Sequence, residues 1–488
     1  MGKRKLWTLI AAPGLAVTGL LLTFLLLGWN PAGASVDIPP HSASLTVSGT
    51  VTCQATGPIS DVEVALWNWE KSSVVTSDTT GINGTYSVTL DEGTYYLEFL
   101  PPAATGLHAK AHTTLELITD TVLDADFCIC SGVWVSETVD SAGNVGAYTS
   151  LALEPTYPYA PHISYRDVTS ARLKYAYLSG TTWFSETVDA ASWTTSLALA
   201  PTYPHTPAIS YDGRDNHTWF ACLSGTTWIS KIVPGPYAGD PSLALEPAYP
   251  HTPHMSYFWS LGTAQTLYHA YLSGTTCVSG TWDYEEVEPP YSQAGRESSL
   301  ALESTDPYTP HISYRYRIGD SDLRYAWLSG TIWLTETVDS AGDVGKLSSL
   351  ALDRSGNPHI SYLDDTNNAV KYAWLSGTTW FSETVDNIGE PPYGGGHSSL
   401  GLDQSDLPYI TYYDVTHGDL KLARFDGKTW IMQTVDSEED VGSYNSLALD
   451  PRGCPHISYY DTANGDLKYA YIPPRYYVYL PLVMRNHP

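Results

Sequence analysis

Pro161-His-Ile-Ser-Tyr165 returns six times along the chain, as Pro207-Ala-Ile-Ser-Tyr211, Pro253-His-Met-Ser-Tyr257, Pro310-His-Ile-Ser-Tyr314, Pro358-His-Ile-Ser-Tyr362, Pro408-Tyr-Ile-Thr-Tyr412 and Pro455-His-Ile-Ser-Tyr459. Neighbouring copies start 46 to 50 residues apart, with one gap of 57. Each copy is short, β-branched and aromatic, as strands are. Short strands repeating at that period are the sequence sign of a β-propeller, in which small sheets stand radially around one axis. The expected fold is all-β.

Three more strand-like pieces travel with each copy. Ser-Leu-(Ala/Gly)-Leu precedes it, starting at Ser150, Ser196, Ser242, Ser299, Ser349, Ser399 and Ser446. A piece such as Leu420-Lys-Leu-Ala423 follows it, and a tryptophan strand such as Trp380-Phe-Ser-Glu-Thr-Val385 completes the unit. Small or apolar side chains occupy both faces of these pieces, so each sheet is covered on both sides. The count gives a seven-bladed β-propeller over residues 131–472. The tryptophan strands begin at Trp134, Trp183, Trp228, Trp282, Trp333, Trp380 and Trp430, so the first precedes the first Ser-Leu strand. Nothing of that kind follows Leu467-Lys-Tyr-Ala470. Trp134–Val139 is therefore expected to be the outer strand of the last blade, closing the ring. The long gap comes from a loop insertion in Ser273–Trp282, which surface turns tolerate.

The turn before each tryptophan strand reads Ser179-Gly-Thr-Thr-Trp183 in one unit and Asp426-Gly-Lys-Thr-Trp430 in another. On those residues the array resembles the sialidase-like, BNR-repeat propellers, whose Asp-box lies between the third and fourth strands. Most copies here keep the box's serine, glycine, threonine and tryptophan without its aspartate. Residues 45–127 differ from the array. Ser48-Gly-Thr-Val51, Val62-Glu-Val-Ala-Leu66, Gly84-Thr-Tyr86 and Gly93-Thr-Tyr-Tyr-Leu97 resemble the carboxypeptidase regulatory-like domain. That resemblance implies an N-terminal prealbumin-like β-sandwich, a non-catalytic spacer or adhesion module. Asp91-Glu-Gly93 between Tyr86–Leu90 and Tyr95–Phe99 signals a hairpin within it.

The ends are distinct. Residues 1–34 carry Lys3-Arg4-Lys5, an apolar run to Trp29 and Ala32-Gly-Ala34, which read as a signal peptide. An uncleaved membrane anchor is the alternative. Either places the rest outside the cell or on its surface, with membrane contact through that segment alone. The tail, residues 473–488, contains Tyr476-Tyr-Val-Tyr-Leu-Pro-Leu-Val-Met-Arg485. It is similar to sorting tails of exported bacterial proteins; a strand packed on either domain is the other reading.

A net charge of −28 disfavours nucleic acid, whose phosphates need Lys and Arg. The cysteines, at positions 53, 128, 130, 222, 277 and 454, lack zinc-ligand spacing. Cys53 could pair with Cys128 or Cys130 on export, or the thiols could be free. No cofactor is implied; Asp339-Ser-Ala-Gly-Asp343 offers oxygen ligands for calcium but reads better as solvated aspartates.

Residues repeated from unit to unit are scaffold first. That covers His162, His254, His311, His359 and His456, expected to make hydrogen bonds between strands or blades rather than to bind metal. Function is expected on the face formed by the fourth-to-first and second-to-third connections. Its loops carry Tyr148, Trp193, Tyr237, Tyr291, Tyr393 and Tyr444, rings on which sugars could stack. Trp259, Arg296, Arg315 and Arg317 break the repeat there and could clamp an acidic sugar. The expected function is recognition of a glycan or surface polymer, with no catalytic residues assigned. A polysaccharide glycosidase or lyase and an envelope protein-interaction scaffold are the alternatives.

Overall fold

The computed structural model describes residues 44–479, except 54–56, 59, 69–72, 92, 101–110, 118–120, 123, 130–132, 157, 191–192, 236–237, 262–263, 275–278, 390–396 and 474. Regular structure among the described residues is entirely β.

Seven four-stranded antiparallel sheets follow one another. The first runs Val145–Leu153, Pro161–Asp167, Arg172–Ser179 and Thr182–Ala190. The next five open with Thr195–Leu199, Ala238–Leu245, Ala294–Leu302, Val344–Leu352 and Ser398–Leu402. The seventh holds Val441–Leu449, Pro455–Asp461 and Asp466–Tyr471. Its outer strand is Val135–Asp140, paired antiparallel with Asp466–Tyr471 so that Val135 faces Tyr471 and Thr138 faces Lys468. This is the expected closure. First strands touch in succession, and Val441–Leu449 returns to Val145–Leu153, making a ring.

The repeated residues are the bolts between sheets. Each Ser-Leu serine accepts from the leucine backbone N–H of the next sheet: Ser150 from Leu197 at 2.9 Å, Ser299 from Leu350 at 3.0 Å, and finally Ser446 from Leu151 at 3.0 Å. Farther out, in five of the seven sheets the repeated tyrosine donates to an aspartate ending the fourth strand of the sheet before it, while Tyr257 donates to the Pro234 carbonyl and Tyr314 to Glu288. Tyr165 reaches Asp140 at 2.6 Å and Tyr362 reaches Asp339 at 2.7 Å. Lys174 and Lys371 bind the same two carboxylates. At the rim, Trp228, Trp380 and Trp430 each donate at 2.8 Å to a glutamate of the preceding fourth strand. His162, His311, His359 and His456 pair through Nδ1 with a tyrosine hydroxyl on the adjacent third strand. His254 pairs instead with His269, at 3.1 Å. The histidines are structural, as expected.

In the N-terminal region, Glu63–Asn68, Val74–Thr79, Gly93–Leu100 and Ala111–Leu117 form one sheet. Leu45–Cys53 belongs to another, with Thr85–Leu90, Asp124–Ile129 and short strands. The expected hairpin is not there: Thr85–Leu90 pairs with Leu45–Cys53, while Gly93–Leu100 pairs with Glu63–Asn68. The connection crosses between sheets because Val88, Leu90, Leu97 and Phe99 must all enter one core, with Val47, Val64 and Leu66. A flat hairpin would keep both strands in one layer. Arg475–Tyr479 of the tail pairs antiparallel with Asp124–Ile129. Cys222 and Cys454 each belong to a disulfide, so the free-thiol reading fails for them. The side chains of Cys53, Cys128, Cys130 and Cys277 lie outside the described residues.

Candidate functional site at the channel mouth

The first strands line the central channel, and most enter it through a kink. Register shifts interrupt pairing just before the Ser-Leu serine in sheets one, three, four, five and seven. Such bulges re-aim a side chain. Tyr148, Asp240, Glu297, Leu347 and Tyr444, each two residues before that serine, have positive φ between 50° and 55°. Left-handed backbone is costly without glycine, by roughly 1–2 kcal/mol each, and concentrates where function demands it. Thr194 and His397 hold the same place in sheets two and six. These seven residues, of six different types, line a mouth cavity of about 210 Å³ beside the repeated serines.

A second variable layer surrounds the first. The residue after each repeated tyrosine is Arg166, Asp212, Phe258, Arg315, Leu363, Tyr413 or Tyr460. In sheets one, five, six and seven an aspartate comes one place later, where Asp167, Asp364, Asp414 and Asp461 accept backbone N–H groups of the following turn. In sheet two the aspartate comes directly after Tyr211. Strand alternation turns it to the opposite side, and Asp212 enters a cavity instead of capping a turn.

That cavity, about 510 Å³, adjoins the mouth and shares Tyr148, Thr194 and Asp240 with it. Trp193, Phe258, Asn216 and Arg296 also line it. Its volume lies within the range of ligand pockets, roughly 300–1,000 Å³. Gly239 keeps it open, since a Cβ there would sit 2.9 Å from the Phe258 ring. Asp212 is 7% exposed. Its Oδ2 accepts from the Thr194 hydroxyl at 2.7 Å. No hydrogen bond of ordinary geometry reaches its buried Oδ1. Ser210 Oγ is likewise unpaired, because Pro241 stands where other sheets supply a hydroxyl such as Ser298 or Ser348. Burial, and then the Asp240 carboxylate, hold Asp212 well above the usual carboxylate range. Burial and Glu297 raise Asp240, against the pull of Arg296.

The structure gathers some of the expected residues and separates others. Tyr148 packs on Tyr444 at 4.2 Å and meets Trp193 edge-on at 6.3 Å. Trp193 is 56% exposed and carries the Arg166 guanidinium 4.8 Å above its ring. Arg296 lies 4.8 Å over Phe258. Arg315 is not a clamp: it is buried in an ion pair with Asp343 at 2.7 Å. Arg317 and Tyr291 are exposed but line neither cavity, and Trp259 packs on Tyr268 at 4.6 Å. Tyr237 and Tyr393 lie outside the described residues. Asp240, Asp212 and Thr194 are not marked by residue type; only their register relative to the repeat places them here. Counting back two from each Ser-Leu serine finds the whole mouth ring.

Among the described residues no cluster of three or more His, Cys, Asp or Glu could hold a metal ion. Of the calcium-loop aspartates, Asp339 is buried and latched by Tyr362 and Lys371, whereas Asp343 stays solvent-accessible while pairing with Arg315. On the opposite face Tyr203 and Tyr249 flank an apolar cavity of about 380 Å³, opened where Ala208 and Phe220 replace the His–Tyr pair.

The ring of radial sheets has solved counterparts. The BP39L lectin from Burkholderia pseudomallei is similar with a TM-score of 0.51 at 12% identity, over 68% of this chain and 97% of that one. The fold is a β-propeller. Less similar are the fucose-specific lectin from Aleuria aurantia (TM-score 0.42, 12% identity, 60% of this chain and 96% of that one) and a PL25 polysaccharide lyase, an ulvan lyase (0.46, 11%, 68% and 95%). No family model matches the chain, and no curated protein matches it in sequence.

Proposed function

We propose that this chain is an exported carbohydrate-binding protein of the cell surface or medium. In this reading it is a seven-bladed, sialidase-like propeller, displayed on a sandwich of the carboxypeptidase regulatory-like kind. The observation that carries the reading is the pair of joined cavities on the mouth face. There a scaffold that otherwise repeats itself places Trp193, Tyr148 and Phe258 beside Asp212, Asp240, Asn216 and Arg296. Aromatic walls with a few convergent polar groups are what a sugar needs, one face for stacking and an edge for hydrogen bonds. Retention by the leader segment or by the tail would keep the molecule at the surface.

A glycan array probed with the full mature chain tests this. Wild type should bind a defined glycan set, and Trp193→Ala should weaken binding about tenfold, from losing a stacking contact of roughly 1–1.5 kcal/mol. An array without hits, or a Trp193→Ala protein that binds normally, would sink the reading.

A polysaccharide-cleaving activity is the second reading, favoured by two carboxyls, Asp212 and Asp240, sharing one cavity with raised pKa values. Reducing ends or unsaturated products released from polysaccharides, and lost in Asp240→Asn, would establish it over simple binding.

A further inference from the structure

We propose that the apolar cavity between sheets two and three, on the face away from the mouth, binds a small uncharged aromatic molecule whose ring packs beside Tyr203 and Tyr249. This site is separate from the mouth and stands or falls independently of glycan binding there. Three coincident changes in the repeat make it. Elsewhere an acid, a histidine and a tyrosine fill the corresponding space: Glu154, His162 and Tyr175 in sheet one, Glu303, His311 and Tyr325 in sheet four. Every sheet except the second has an acid after its first strand and a ring after the proline that opens its second strand. Sheet two has Ala200, Ala208 and Phe220 at the three places. Losing one member alone would strand its partners as buried polar groups. Losing all three leaves a hollow of about 380 Å³ with apolar lining, to which sheet three adds Leu245 and Leu272.

The rim is built as well. Tyr203-Pro-His-Thr-Pro207 and Tyr249-Pro-His-Thr-Pro253 are two copies of one segment, and residues of both line this cavity. Their tyrosines are 89% and 79% exposed. Each ring meets a buried histidine edge-on at 6.1 Å, Tyr203 on His205 and Tyr249 on His251. The backbone fixes those histidines: His205 Nδ1 donates to the Ala200 carbonyl at 3.1 Å, and His251 Nδ1 to the Glu246 carbonyl at 3.0 Å. The Thr202 hydroxyl reaches His251 Nε2 at 2.7 Å and ties the two segments together. Two aromatic rings are thus held in water beside an apolar hollow, which costs free energy until an apolar group covers it. No Asp, Glu, Lys or Arg is among the described lining residues, so a charged ligand would lose its water without gaining a counterion. A sugar would lose hydrogen bonds against Ala208, Phe220 and Leu272. A flat uncharged ring can stack on the tyrosines or meet Phe220 edge-on.

The test is titration calorimetry on the full mature chain with β-naphthol, its fully saturated counterpart, and the tripeptide Gly-Trp-Gly. β-Naphthol should bind saturably, at least about fivefold more tightly than the saturated ring. Ala200→Glu/Ala208→His/Phe220→Tyr rebuilds the set of sheet one and fills the hollow. With its fold checked by thermal melting, it should weaken β-naphthol binding at least about tenfold. Tyr203→Ala/Tyr249→Ala, which changes exposed side chains alone, should weaken it by at least about fivefold. Absence of saturable binding, equal affinity for the saturated ring, or binding unchanged in both variants overturns the proposal. Tighter binding of Gly-Trp-Gly than of β-naphthol also overturns it, since a protein side chain would then be the better occupant.

Discussion

Tyr165 shows what one repeated side chain does. It is fully buried, and its hydroxyl meets Asp140 from the neighbouring sheet beside Lys174. Tyr165→Phe removes the phenol and leaves a buried carboxylate one partner short. The expected cost is about 1–2 kcal/mol, read as a lower midpoint in urea unfolding with an unchanged slope. Asp212 works in the opposite sense. Its folded pKa is raised, so its stabilising share is complete at low pH and lost as pH rises through that folded value. Asp212→Asn should therefore raise the melting temperature at pH 8 more than at pH 5. A difference that stays flat across that interval would refute the assignment. The contrast shows what residue type alone conveyed. Tyr148, Trp193 and Tyr444 are legible in the sequence as aromatics of the mouth-face loops, where the structure has them lining the cavities. Asp212 was invisible because an aspartate after a strand reads as an ordinary turn, and only its one-residue shift gives it another direction. Arg315 misled for a converse reason: its unusual position in the repeat reflects the local pairing with Asp343.

At the scale of elements the repeat was nearly transparent. Strand identity, order and the circular offset follow from the motifs, since most motif residues bond a neighbouring strand or sheet and cannot drift freely. The bulges before the Ser-Leu strands were not legible, because φ near +50° at Tyr148 or Glu297 has no glycine to announce it. The link from Thr85–Leu90 to Gly93–Leu100 misled because turn chemistry says that the chain reverses, not which sheet receives it. The offset supports a direct test. Deleting residues 131–141 removes the strand paired with Asp466–Tyr471 and exposes a sheet edge at the outer rim of the ring. The propeller should then lose its single cooperative transition; a melt unchanged by the deletion would show that Val135–Asp140 is dispensable.

Over the whole molecule, acid should act through the latches. Burial opposes charge at Asp140, Asp339 and Asp436, but hydrogen bonds from Lys174, Lys371 and Lys468 and from the tyrosines prevail, holding all three below the usual range. Their stabilisation is complete above the unfolded carboxylate pKa, about 4, and disappears as pH falls through the lower folded values. Stability should thus decline steeply below about pH 4, with the sheets separating together. A protein equally stable at pH 3 and pH 6 would contradict the latch account. The closure strand has a separate consequence for how the molecule comes into being. Val135–Asp140 is made early and its partner, Asp466–Tyr471, more than three hundred residues later. During synthesis the early strand has no edge to join, and the last sheet cannot be completed until its distant partner has emerged. Pairing across such a separation is slow and conditional on the rest being in place. The ring thus acts as its own inspection step, since a chain truncated before residue 466 would retain an unmatched strand at its beginning.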